Sequence, residues 1–163
     1  PVISGFWPGS VQVGEMVLVF GEGFVPFKTQ ISVNGIPATF FQAVDSTFLF
    51  FILPPGKTNG PITVTTPYGT ATSSTKFGTP LTGVQITGLW PSVAAPGQLV
   101  LVFGAGFVAN ATTVKVNGVD APIRQVLYPD MMFFIVPPTA TTGFVTVTTA
   151  TGSGTSPSLL TIK

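Results

Sequence analysis

The chain has 163 residues, 45% hydrophobic and only 7% charged, with a formal net charge of +1, where an average soluble domain carries roughly 25% charged residues. Low hydrophobicity and high net charge make a chain disordered, so a mean hydropathy of +0.58 excludes disorder. With no His and no Cys, the chain lacks the usual zinc and haem ligands, a thiol nucleophile, disulfides and the side chain most used in acid–base catalysis.

Metalloenzyme, cysteine-hydrolase and Ser-His-Asp chemistries fall on that count, no cofactor or metal is expected, and no catalytic residue stands out. The cations Lys28, Lys57, Lys76, Lys115, Arg124 and Lys163 are scattered along the chain, where a nucleic-acid partner would call for a clustered basic face. No apolar run reaches the ~18 residues of a membrane-spanning helix. A start at Pro1 without Met or signal peptide reads as a processed or excised chain.

Shifted by 83 residues, the sequence aligns with itself without a gap, and about two-fifths of the positions are identical. The chain is thus expected to form two tandem domains, 1–79 and 84–163, with a short linker at 80–83 inside Gly78-Thr79-Pro80-Leu81-Thr82-Gly83. In chain order, a first strand ends at Trp7-Pro8 and is repeated at Trp90-Pro91. The apolar run Val17 to Phe20 leads into Gly21-Glu22-Gly23-Phe24, repeated from Val100 to Phe107. Asn34-Gly35 and Asn117-Gly118 carry the residues of a type I′ hairpin turn, whose two central positions need φ > 0. Apolar strands then run into Pro54-Pro55 and Pro137-Pro138, followed by Thr63-Val64-Thr65-Thr66 and Thr146-Val147-Thr148-Thr149. Short strands rich in Val, Ile, Phe and Thr, separated by Gly, Pro or Asn every ~8–12 residues, read as all-β sandwiches. The Gly-x-Gly segments have no helix after them, so a turn or bulge is expected there and not a phosphate loop.

The order of Ile3, Trp7-Pro8, Gly14, the Val17–Phe24 stretch, Val33-Asn34-Gly35, Leu53-Pro54-Pro55, Ile62-Thr63-Val64 and Gly69, repeated from Ile86 to Gly152, resembles the IPT/TIG family of immunoglobulin-like domains. The resemblance implies a seven-strand sandwich per copy, with strands A, B and E in one sheet and C, F and G mainly in the other. Such domains occur in bacterial surface proteins, polysaccharide-acting enzymes, plexin-type receptors and transcription factors, and the fold alone does not choose among them.

A sandwich strand should alternate between apolar inward and polar outward positions. On strand B the resemblance puts Val17 and Val19 inside, yet the outward Met16, Leu18 and Phe20 are also large and apolar. On strand E, Leu49, Phe51 and Leu53 point in, while Phe48, Phe50 and Ile52 point out. The second copy repeats this with Leu99, Leu101 and Phe103 on B and Met131, Phe133 and Ile135 on E. Six apolar side chains per copy are therefore expected to form a contiguous outer patch. Either this patch is covered within the chain, by a loop, by Phe40-Phe41 or by the other copy, or it meets identical subunits, a partner's domain or an apolar ligand.

Asn110-Ala111-Thr112 matches an N-glycosylation acceptor, a triplet that also arises by chance. Trp7 and Trp90 are packing residues in the core or between domains, or platforms for stacking on a sugar. Thr63, Thr65, Thr146 and Thr148 are ordinary β-formers before they are a binding array. The expected function is a non-enzymatic structural protein, extracellular or at the surface of a bacterial cell, that forms homo-oligomers or a homopolymer such as a filament or layer. The alternative is a carbohydrate-binding, adhesion or spacer module from a larger protein, with polysaccharide as partner.

Overall fold

The computed structural model describes residues 1–79 and 81–163. The described residues contain strands, turns and irregular segments and no helix, and the chain divides into two compact units, 1–80 and 81–163. Pro80, where the expected linker begins, lies outside the described residues. No helix among them is long and apolar enough to cross a membrane.

The first unit contains β1 (Val2–Trp7), β2 (Met16–Glu22), β3 (Gln30–Val33), β4 (Ile36–Pro37), β5 (Phe41–Ala43), β6 (Phe48–Ile52), β7 (Gly60–Thr66) and β8 (Gly69–Phe77). They form two four-stranded antiparallel sheets ordered β1-β2-β6-β5 and β4-β3-β7-β8. These are the A-B-E and C-F-G sheets that the resemblance implies, each widened by one short strand. The two-residue β4 is the return arm of the Asn34-Gly35 hairpin, and β5 pairs along β6.

The second unit repeats the plan with β9 (Gln85–Trp90), β10 (Val93–Ala94), β11 (Leu99–Ala105), β12 (Thr113–Val116), β13 (Val119–Ala121), β14 (Ile123–Tyr128), β15 (Met131–Ile135), β16 (Val145–Thr149), β17 (Gly152–Thr155) and β18 (Thr161–Ile162). Its sheets run β14-β15-β11-β9 and β13-β12-β16-β17, with a small parallel pair β10-β18.

Alternation selects each core. Val17, Val19, Leu49 and Phe51 from one sheet meet Ile31, Val33, Ile62 and Val64 from the other, all at 3% exposure or less. Val100, Val102, Met132 and Phe134 meet Val114, Val116, Val145 and Val147 in the second domain. Both hairpin turns adopt the expected left-handed pair, Asn34 (φ 50°) with Gly35 (φ 78°) and Asn117 (φ 45°) with Gly118 (φ 83°).

The Gly-x-Gly-Phe motif has a packing explanation. A β-carbon on Gly21 would collide with the Val2 carbonyl oxygen and stand 2.7 Å from Cζ of Phe24, itself 2% exposed. Gly104 meets the Gln85 carbonyl and Phe107 in the same way. The missing side chain lets the phenylalanine ring and the neighbouring strand backbone close over the strand end. Gly21 and Gly104 are the next-to-last residues of β2 and β11, each beside an irregularity in the pairing with β1 or β9, where the sequence leads to the expectation of a turn or bulge.

Candidate functional site

Directly opposed residues of an antiparallel pair face the same side of the sheet, so the strand register identifies the outer face of the β1-β2-β6-β5 sheet. One row reads Trp7, Leu18, Phe50, Gln42 across the four strands. The row before it reads Gly5, Phe20, Phe48, and Met16 opposes Ile52 in the row after it. The Phe20 and Phe48 rings lie 5.3 Å apart in a tilted stack. Met16 is 48% exposed, and Leu18, Phe20, Phe48, Phe50 and Ile52 are half-buried, as large side chains become when they lie against each other on an open sheet.

The second domain keeps the central row residue for residue: Trp90, Leu101, Phe133, Gln125. Leu99, 52% exposed, opposes Ile135. The third row departs from expectation. Phe103 and Met131, expected on an exposed patch, are 2% and 6% exposed. They oppose each other across β11 and β15, Met131 also opposes Tyr128 of β14, and neither joins the inner core cluster. Two long side chains directly opposed on neighbouring strands, with an aromatic residue next in register, are placed to cover surface that alternation alone assigns to the outside.

The two tryptophans belong to neither core cluster. Each stands on the outer face at the end of a row, opposite a leucine, with an exposed glutamine at the other end. Their position depends on pairing with a distant strand and so was hidden in the linear sequence. The Gln42 and Gln125 ends were missed, although the 83-residue alignment makes them identical. Phe40-Phe41 does not cover the patch: Phe41 packs against the inner core, and Phe40 stays 69% exposed beside Ile52, whose amide donates to the Phe40 carbonyl at 2.9 Å.

Charge is sparse around this face. Asp45, at the turn into β6, accepts hydrogen bonds on Oδ1 from the Thr47 amide (2.7 Å), the Thr47 hydroxyl (2.8 Å) and the Phe48 amide (2.9 Å). The two Thr47 bonds, with a smaller contribution from Phe48, hold its carboxyl below the ordinary value of 3.8 against a small opposing effect of desolvation. Among the described residues, no group of three or more His, Cys, Asp or Glu is placed to hold a metal ion.

The Asn110-Ala111-Thr112 triplet is part of a turn. The Thr112 hydroxyl donates to the Val108 carbonyl (2.7 Å) and accepts from the Val108 amide (2.8 Å), and Thr29 makes the same pair of bonds with Val25.

The family model for the IPT/TIG domain matches residues 1–80 and again 85–163. No curated protein matches the chain in sequence. Similar solved structures include a candidate phosphatase from Bacteroides thetaiotaomicron, at 23% identity and a TM-score of 0.47, covering 50% of this chain and 18% of that one. An auxiliary nutrient binding protein from Bacteroides ovatus has 22% identity and a TM-score of 0.44, covering 49% and 20%. SGBP-B from a xyloglucan utilization locus of Bacteroides uniformis has 18% identity and a TM-score of 0.43, covering 99% and 49%. The chain thus spans less than half the length of each of these proteins.

Proposed function

Because the chain belongs to the IPT/TIG domain family and repeats one uncharged row on the outer face of each domain, we propose that it is a non-enzymatic structural module that self-associates through those faces. The observation that carries this reading is the repetition of Trp-Leu-Phe-Gln at one register in both domains. A contiguous apolar patch on an open sheet marks an interaction surface, and its burial at ~25 cal/mol per Å² favours association before ordering costs are subtracted. Two equivalent faces on one chain suit a repeating assembly, since contacts that do not close into a ring propagate. The setting we propose is the bacterial cell surface or the extracellular space, as a filament or layer.

Light scattering and electron microscopy of the purified chain test this. Ordered assemblies are expected from the native sequence and dispersal from Leu18→Lys combined with Leu101→Lys. A monodisperse monomer, unchanged by the double substitution, would overturn the reading.

The outward tryptophans favour a second reading, a carbohydrate-binding or adhesion module. An indole opposite a leucine offers a flat apolar platform with a polar edge. Polysaccharide pull-down that is lost in Trp7→Ala or Trp90→Ala, with assembly intact, supports this reading over the first.

A further inference from the structure

The opposite sheet of the first domain carries a different chemistry. The solvent face of β3, β7 and β8 is built from two rows, Gln30-Thr65-Thr70 and Ser32-Thr63-Thr72. All six side chains are neutral and able to hydrogen-bond. At the edge of this face lies a groove of about 330 Å³, with Gln30, Ser32, Thr63 and Thr65 on its polar side and Pro37, Ala38 and Phe41 on its apolar side. That volume lies at the small end of the range for ligand sites.

We infer that this groove binds a neutral, hydroxyl-rich ligand, namely a short segment of uncharged glycan. An ion would shed hydration water there without meeting a countercharge, and a wholly apolar ligand would leave the hydroxyls without partners. A sugar ring presents C–H faces to the Pro37–Phe41 side and hydroxyls to the threonine side, satisfying both. The polar side has hydrogen-bonding capacity to spare. The Thr63–Thr72 and Thr65–Thr70 hydroxyl pairs are 3.5 and 3.3 Å apart, both beyond the usual span of a good O–H···O bond. Among the described residues, the Gln30 and Ser32 side chains form no hydrogen bond within the chain.

The second domain differs at this position. Where Ser32 opposes Pro37 in the first domain, Lys115 opposes Asp120 in the second, and the two form a 3.3 Å ion pair. The site is therefore assigned to the first domain alone. It lies on the sheet opposite the apolar rows and does not depend on the proposed self-association.

Isothermal titration calorimetry of the whole chain with cellohexaose, xylohexaose and chitohexaose tests the inference. Saturable binding of at least one is expected, weakened about tenfold or more in Ser32→Lys with Pro37→Asp, since a charged pair across the groove removes both the hydroxyl contact and the apolar edge. Thr63→Val with Thr65→Val, which keeps side-chain shape and strand preference, is expected to lose the same affinity and guards against misfolding of the first variant. Thr146→Val with Thr148→Val, the matching positions of the second domain, is expected to leave binding unchanged. Binding of none of the three sugars, binding that survives both groove variants, or binding lost equally in Thr146→Val with Thr148→Val would overturn the inference.

Discussion

Phe27 and Asn110 occupy the same turn position 83 residues apart, and both adopt the left-handed conformation, with φ of 64° and 62°. Asparagine tolerates that conformation, whereas a bulky residue pays ~1–2 kcal/mol for it. Phe27 gains no packing in return, being fully exposed at 101%. Phe27→Asn is therefore expected to raise the stability of the first domain by ~1 kcal/mol, read as an upward shift of the denaturation midpoint. An unchanged or lower midpoint would show that the backbone bears no such strain.

Gly21→Ala should be among the most damaging small substitutions in the chain. The added methyl meets the Val2 carbonyl and the buried Phe24 ring, and the backbone oxygen has little room to move. A loss of about 3 kcal/mol or more is expected, at the upper end for overpacking. Gly9→Ala, with nothing within 4 Å of the new methyl, serves as the control and should change stability by less than ~0.5 kcal/mol. Urea unfolding of the two variants makes the comparison.

Phe50 and Phe51 are neighbours in sequence on opposite faces of β6, half-buried and 0% exposed respectively. Phe51→Ala opens a cavity in the core and should cost ~3–5 kcal/mol. Phe50→Ser should leave the thermal midpoint of dilute protein nearly unchanged and weaken association in light scattering. Equal loss of stability in both variants would mean that the outer face supports the fold itself.

Asp45 gives a pH dependence of definite sign. Its carboxyl titrates lower in the folded chain than its ordinary value of 3.8, chiefly through the bonds from Thr47. The resulting stabilisation is present in full above the unfolded-state value and disappears as pH falls through the lower folded-state one. Asp45→Ala should therefore be less stable than the native sequence at neutral pH, with the difference closing in acid. Denaturation midpoints across an acid titration measure it, and a gap that widens in acid would reverse the assignment.

Much of this architecture was legible from residue order alone, because the features concerned are local. Asn34-Gly35 needs no distant partner to specify its turn, and the period-two pattern around Val17 and Val19 separates inside from outside whatever the sheet does next. The repeat supplied the rest of the domain plan. Features set by register across strands were not legible. Trp7 joins the outer row because β1 aligns it with Leu18, after a register shift between Ile3 and Gly5. The burial of Phe103 and Met131 depends on what lies beside them, which alternation does not encode. The groove beside Phe41 is lined by Ser32 and Pro37, which stand where the second domain has an ion pair, a contrast visible only once the two strands are paired.

The row Trp7, Leu18, Phe50, Gln42 holds no charged side chain, which determines how any contact made through it responds to its surroundings. Simple electrolytes screen charges and leave such a contact largely unaffected, whereas strongly hydrated salts such as sulfate tighten it. Cooling weakens apolar burial, so a joint between these faces would loosen in the cold and regain strength on warming.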